Sequence, residues 1–258
     1  MRVSLVRKIF YQAVFYVSLI AAWKFFAMLN LRLEVGFPPP EKVLDALVRG
    51  FADRTFLVGI AVSLRRIAIG YTIAVVAGVF VGLLIGRVRF LEETVGGFVL
   101  GLQSLPAVCW LPLAILWFGL TEAAILFIVF IGSILAIVIG THDGVKNINR
   151  VYIQLGRNMG AKGSQMFRYV VLPAALPSIL SGFKQAWVFA WRSLMAGEIL
   201  FVSLGLGDLL NTARQMKDMS QLLAVMIVII IIGIMIDGLV FGSLERRVKR
   251  MWGFEHPA

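Results

Sequence analysis

Residues Leu222–Gly242 read LLAVMIVIIIIGIMIDGLVFG, with Asp237 as the one charged side chain in the stretch. A hydrocarbon core ~30 Å thick is crossed by ~20 mostly apolar helical residues, and this stretch meets that requirement. Working outward with the same criterion gives five further candidates: Ile9–Leu29, Ile67–Gly86, Gly96–Phe118, Ala123–Gly140 and Ile179–Ser203. In Gly96–Phe118, Pro106 and Pro112 should interrupt the helix, because proline lacks the backbone donor and clashes with the preceding turn. Bilayers tolerate such kinks only where neighbours or a wet cavity satisfy the freed groups. The sequence therefore predicts an all-α, polytopic membrane protein of about six transmembrane helices, forming one domain over residues 1–258.

Composition agrees. Of the 258 residues, 60% are apolar and 15% charged, where a soluble domain carries ~25% charged residues. The formal charge of +11 would suit a nucleic-acid binder, but the basic residues sit at the ends of apolar runs, as membrane anchors do. That excludes nucleic acid as a partner and makes the lipid bilayer one. Cys109, the single cysteine, lies in an apolar segment and reads as a small buried hydrophobe. The N-terminal run is too long for a signal peptide and reads as an uncleaved first helix.

Lys and Arg counts set the orientation. With the N-terminus inside, inner segments carry fourteen of them and outer segments eight, which predicts both termini in the cytoplasm. The outer segment 30–66 contains Phe37-Pro38-Pro39-Pro40-Glu41 and then an apolar stripe at Val43, Leu44, Leu47, Val48 and Phe51. That is a short amphipathic helix lying on the membrane surface or on its neighbours.

The longest inner segment is 141–178. Apolar residues at Ile148, Val151, Tyr152, Leu155 and Met159 share one helical face, and Gly160 follows where a helix should end. Ser164 is placed to cap a second helix, which Pro173 and Pro177 should stop. The result is a rigid knob of helix, glycine turn and helix, suited to a partner's groove.

This segment resembles the cytoplasmic loop of ABC importer permeases, in which Glu-Ala-Ala, three residues, Gly, nine residues and Ile-x-Leu-Pro follow in order. Here Gly160 and Val170-Val171-Leu172-Pro173 match, while Gln154-Leu155-Gly156 stand at the Glu-Ala-Ala positions. Phe167–Pro177, Trp110–Gly119 and Leu204-Gly205-Leu206-Gly207 resemble most the nitrate, sulfonate, taurine and bicarbonate subgroup. Phe37–Glu41 is similar to that subgroup's outer Leu-Pro-Ser-Pro element. The resemblance implies a type I importer fold in a bacterial cytoplasmic (inner) membrane. It implies a second copy of the chain, two cytoplasmic ATPase subunits that hold the ATP and Mg, and an extracytoplasmic substrate-binding protein. It makes Gln154, Leu155, Gly156, Arg157, Met159, Gly160, Ala161, Lys162, Leu172 and Pro173 the ATPase-coupling residues, with Gln154 lacking the motif's charge.

The chain has no Gly-x4-Gly-Lys-Ser/Thr loop, so it is not itself a P-loop ATPase. It offers no metal-ligand spacing around His142 or His256 and no nucleophile–base pair, so neither cofactor nor catalysis is expected. Among intramembrane charges, Lys24 and Lys184 can snorkel to the interface, and Asp237 should pair with a neighbouring charge. Arg192 and Glu198 either form structural ion pairs or line the translocation path with Trp110, Pro106 and Pro112; Trp110 reads as packing ahead of a gate or pore residue. Gly78, Gly82 and Gly86 permit close helix approach. The function expected is ATP-driven import of a small anion. The alternatives are a vitamin precursor such as a pyrimidine as cargo, or a stand-alone secondary transporter.

Overall fold

The computed structural model describes residues 2–29, 36–201 and 204–251, and all regular structure among them is helical. His256 and the start of the predicted outer segment lie outside them. The helices are α1 (Arg2–Met28), α2 (Pro40–Ala52), α3 (Thr55–Arg87), α4 (Arg89–Gln103), α5 (Ala107–Phe118), α6 (Glu122–Lys146), α7 (Arg150–Asn158), α8 (Gly163–Leu200), α9 (Leu206–Gln215) and α10 (Met219–Val248). Five of these, α1, α3, α6, α8 and α10, are each long and apolar enough to cross a membrane.

The sixth crossing is a broken one. α4 and α5 meet at 98°, where the predicted third span was a single interrupted helix. Pro106 makes the break, as the extended residue that opens a 3-10 turn over Ala107–Trp110. Pro112 interrupts nothing, because it occupies the first turn of the helix that follows, where its missing N–H has no partner to lose. The two arms reach opposite ends of α6: Glu92 on α4 pairs with Lys146, while Trp117 and Phe118 on α5 pack on Phe127. Cys109, at the break, is exposed rather than buried.

Two other spans begin earlier than predicted. α3 starts at Thr55, whose backbone N–H is capped by Asp53 at 2.9 Å; that hydrogen bond holds the Asp53 carboxyl below its usual range. Arg65 and Arg66 therefore lie inside the helix and not in an outer loop, because carboxylates from other helices meet their charges. α8 starts at Gly163, with Lys162 and not Ser164 at the cap position. It runs through both prolines that were expected to stop it. A π turn at Phe167–Val171 opens the backbone just before Pro173, and Pro177 is carried inside the helix.

α6 is the axis of the bundle, held between α3 and α8. On the α3 side, Gly70, Gly78 and Gly82 seat Val129, Ile137 and Thr141. On the α8 side, a Cβ at Gly140 would sit 2.6 Å from the Cα of Gly182, so here backbone meets backbone. Without water to drive association, such small-residue contacts supply much of the packing within a bilayer. α2 buries Val43 and packs Leu47 on the cluster around α10, leaving Leu44 and Val48 exposed. α1 stands nearly clear of the rest. It is tied by Trp23, whose indole N–H donates to the Pro38 carbonyl at 3.0 Å, and by Lys24, paired with Glu41 at 2.5 Å.

Candidate functional site

At one end of the bundle α7 projects on a stiff turn. Asn149 accepts the Val151 N–H at 3.0 Å and opens the helix. At its other end the Gly160 N–H bonds to the Arg157 carbonyl and the Ala161 N–H to the Gly156 carbonyl, both at 2.9 Å. This is a Schellman closure, with Gly160 at φ +83° supplying the left-handed residue it needs. Gly156 is the buried residue of α7: a Cβ there would meet Val170 at 2.8 Å and Met166 at 3.0 Å, the side chains at the base of α8. The turn is therefore fixed to α8 by packing as well as by chain connection. Across the base, the Arg87 guanidinium lies 3.5 Å from the centre of the Phe167 ring, which joins the end of α3 to the π turn.

The apolar face of α7 points away from this anchorage. Val151, Tyr152, Leu155 and Met159 are exposed, Met159 by 87%. Gln154, Arg157 and Lys162 are exposed beside them, and Ala161 is half-buried in the turn. Leu172 and Pro173 sit where α8 leaves the π turn.

The break between α4 and α5 opens on a cavity of about 290 Å³ lined by Gln103, Pro106, Gly132, Phe189, Arg192 and Ser193, among others. Pro106 and Arg192 thus come together. Trp110 lies elsewhere, half-buried against the core around Leu111 and Ile125, and Pro112 is exposed on α5.

Glu198 is separate again. It is fully buried, accepting from the Ser63 hydroxyl at 2.8 Å, from Arg66 at 2.9 Å and from the Gly207 N–H at 3.0 Å. Arg66, only 2% exposed, also donates to the Leu204 carbonyl and to Glu122. The Leu206 N–H donates to Ser63 at 2.9 Å. This network fastens α9 to α3, α6 and α8. Ser63, Arg66 and Glu122 were not singled out from the sequence. The cue present was the apolar run Phe56–Val62, which extends the span upstream and carries Ser63 and Arg66 into it.

With these features in place, comparison with known proteins is decisive. The family model for the binding-protein-dependent transport system inner membrane component matches residues 74–251. The chain belongs to this family. The permease is similar to the taurine transport permease TauC of Escherichia coli, at 31% identity over 91% of this chain and 87% of that protein. It is similar to the nitrate import permease NrtB of Leptolyngbya laminosa, at 31% identity over 81% and 75%. It also resembles the E. coli aliphatic sulfonates permease SsuC, at 30% over 92% and 89%. These relatives place the permease in the nitrate, sulfonate and taurine subgroup. Its fold is that of an inward-facing structure of the MetNI methionine ABC transporter, with a TM-score of 0.65 over 75% of this chain and 96% of that one at 20% identity.

Proposed function

We propose that this permease is the membrane-spanning half of an ATP-driven importer for a small anion of the nitrate, sulfonate, taurine or bicarbonate kind. It works as a pair of copies with two cytoplasmic ATPase subunits and an extracytoplasmic binding protein. The observation that carries the reading is α7: an exposed apolar face held on a closed glycine turn and seated through Gly156 on the base of a transmembrane helix. A face like this is suited to a groove in another protein, and its stiff mounting passes displacement on to α8. The relatives' names, for nitrate, aliphatic sulfonates and the sulfonate-bearing zwitterion taurine, support a cargo that presents an anionic oxygen group.

In this mechanism ATP binding draws the two ATPases together, each carries its α7 inward, and α8 conveys the shift to the crossing helices, which open toward the binding protein. Both termini and α7 lie on the ATPase side. The test is reconstitution of the permease with its ATPase and binding protein in sealed vesicles, following labelled taurine and nitrate. Uptake should require ATP enclosed within the vesicle, on the ATPase face, with the binding protein outside, and the double variant L155E/M159E should shed the ATPase on gel filtration. Solute movement by the permease alone, without nucleotide, would overturn the proposal.

A further inference from the structure

Several cations in or beside the crossings are answered by acids: Arg66 by Glu198 and Glu122, Lys184 by Asp237 and Glu245, and Lys146 by Glu92. Arg192 is different. It stands within the α8 crossing, and among the described residues no carboxylate pairs with it. An unanswered guanidinium at membrane depth is costly unless it faces water or a counter-charge, and Arg192 faces the cavity at the helix break.

The walls of that cavity narrow what can meet it. No acid lines it; the surroundings are apolar, with Leu105, Val108, Ile131 and Leu135 among them. The Ser193 hydroxyl already donates to the Phe189 carbonyl at 2.7 Å. That leaves the Arg192 fork and the half-buried Gln103 amide as side-chain donors. A guanidinium fork matches an anion presenting two oxygens in a plane. The volume of about 290 Å³ lies just under the roughly 300–1,000 Å³ of pockets for drug-sized ligands, a size for a small ion. The chain is non-helical at Ser104–Pro106, and such backbone persists at membrane depth where it lines a wet cavity.

We propose that this cavity is an anion-binding site of the permease itself, with Arg192 selecting for charge and Gln103 orienting a small oxyanion. It rests on the importer reading and adds that the cargo is chosen within the membrane as well as by the binding protein.

The test uses the purified permease–ATPase complex with ethanesulfonate, nitrate and the neutral analogue ethanesulfonamide as probes. Calorimetry should find that the wild type binds the two anions and discriminates against the amide. R192Q should weaken anion binding about ten- to a hundredfold, the range for a lost charge-assisted hydrogen bond. R192K should lose less than R192Q, and Q103L a few-fold. Unchanged anion binding in R192Q, or equal binding of the amide by the wild type, overturns the site. Should R192Q fail to fold, unchanged binding in both R192K and Q103L does the same. ATP-driven anion uptake with unchanged concentration dependence in R192Q sinks the site and leaves the importer standing. Anion binding without any ATP-driven uptake sinks the importer reading and leaves the site.

Discussion

Arg66 and Glu198, 132 residues apart in sequence, meet at 2.9 Å with both side chains shut away from solvent. The pair joins α3 to α8 at the end of the bundle opposite α7. Further hydrogen bonds from Ser63 and the Gly207 N–H occupy the remaining carboxylate positions, which is the condition under which a buried ion pair can hold its place.

Removing one partner should therefore cost more than removing both. Arg66→Ala leaves the buried Glu198 carboxylate without its cation and is expected to destabilise the permease by about 3–5 kcal/mol, whereas Glu198→Ala leaves Arg66 still paired with Glu122 and should cost less. The paired replacement R66M/E198M should cost less than the sum of the single changes. Thermal unfolding in detergent, run as a double-mutant cycle, measures this coupling; additive effects would show that the pair is not the link.

The α6–α8 contact makes a second expectation. At Gly140 a side chain would run into the Gly182 backbone, which no rotamer change relieves. Gly140→Val should force the helices apart and cost on the order of 1–3 kcal/mol or more. Gly97→Ala and Gly101→Ala, where a Cβ meets nothing within 4 Å, should leave stability unchanged. Comparing the three midpoints in the same detergent is enough.

Gly156 separates assembly from transmission. Gly156→Leu drives a side chain into Val170 and Met166, tilting α7 off α8 without touching its exposed face. The ATPase should still co-purify and hydrolyse ATP, while solute moved per ATP falls several-fold. Loss of the ATPase from the complex would instead mean that Gly156 serves the docking face.

At Gly160 the demand is backbone, not space, since nothing lies within 4 Å but φ is +83°. Gly160→Val should cost about 1–2 kcal/mol of left-handed strain, open the turn and uncouple hydrolysis from uptake. Gly160→Asn, which tolerates that conformation better, should retain most coupled transport. Equal uptake by both variants would remove the turn from the mechanism.

How far the sequence could be read depended on how local the cause was. The spans α1, α6 and α10 follow from uninterrupted apolar runs, and the α7 turn from apolar spacing ended by Gly160. The start of α3 was missed because Arg65 and Arg66 look like loop cations until Glu122 and Glu198 are seen beside them, and nothing nearby in the chain announces those partners. The two prolines misled for a similar reason. Pro173 ends a regular α ladder, but a π turn ahead of it supplies a wider one, and that choice is not written in the residues on either side. Of the path residues named together, Pro106 and Arg192 share a cavity while Trp110 and Glu198 point elsewhere, since each faces where its helix happens to turn.

The small residues between α6 and α8 interlock over several turns, from Gly132 against Ser193 through Gly140 against Gly182 to Gly144 against Ser178. A seam this tight has no slack to absorb displacement, because close-packed interiors deform little. The two helices therefore form a single beam. A push delivered at the foot of α8 has to reappear where the beam meets looser neighbours, and the hollow beside Pro106, at the beam's far end, is one such joint.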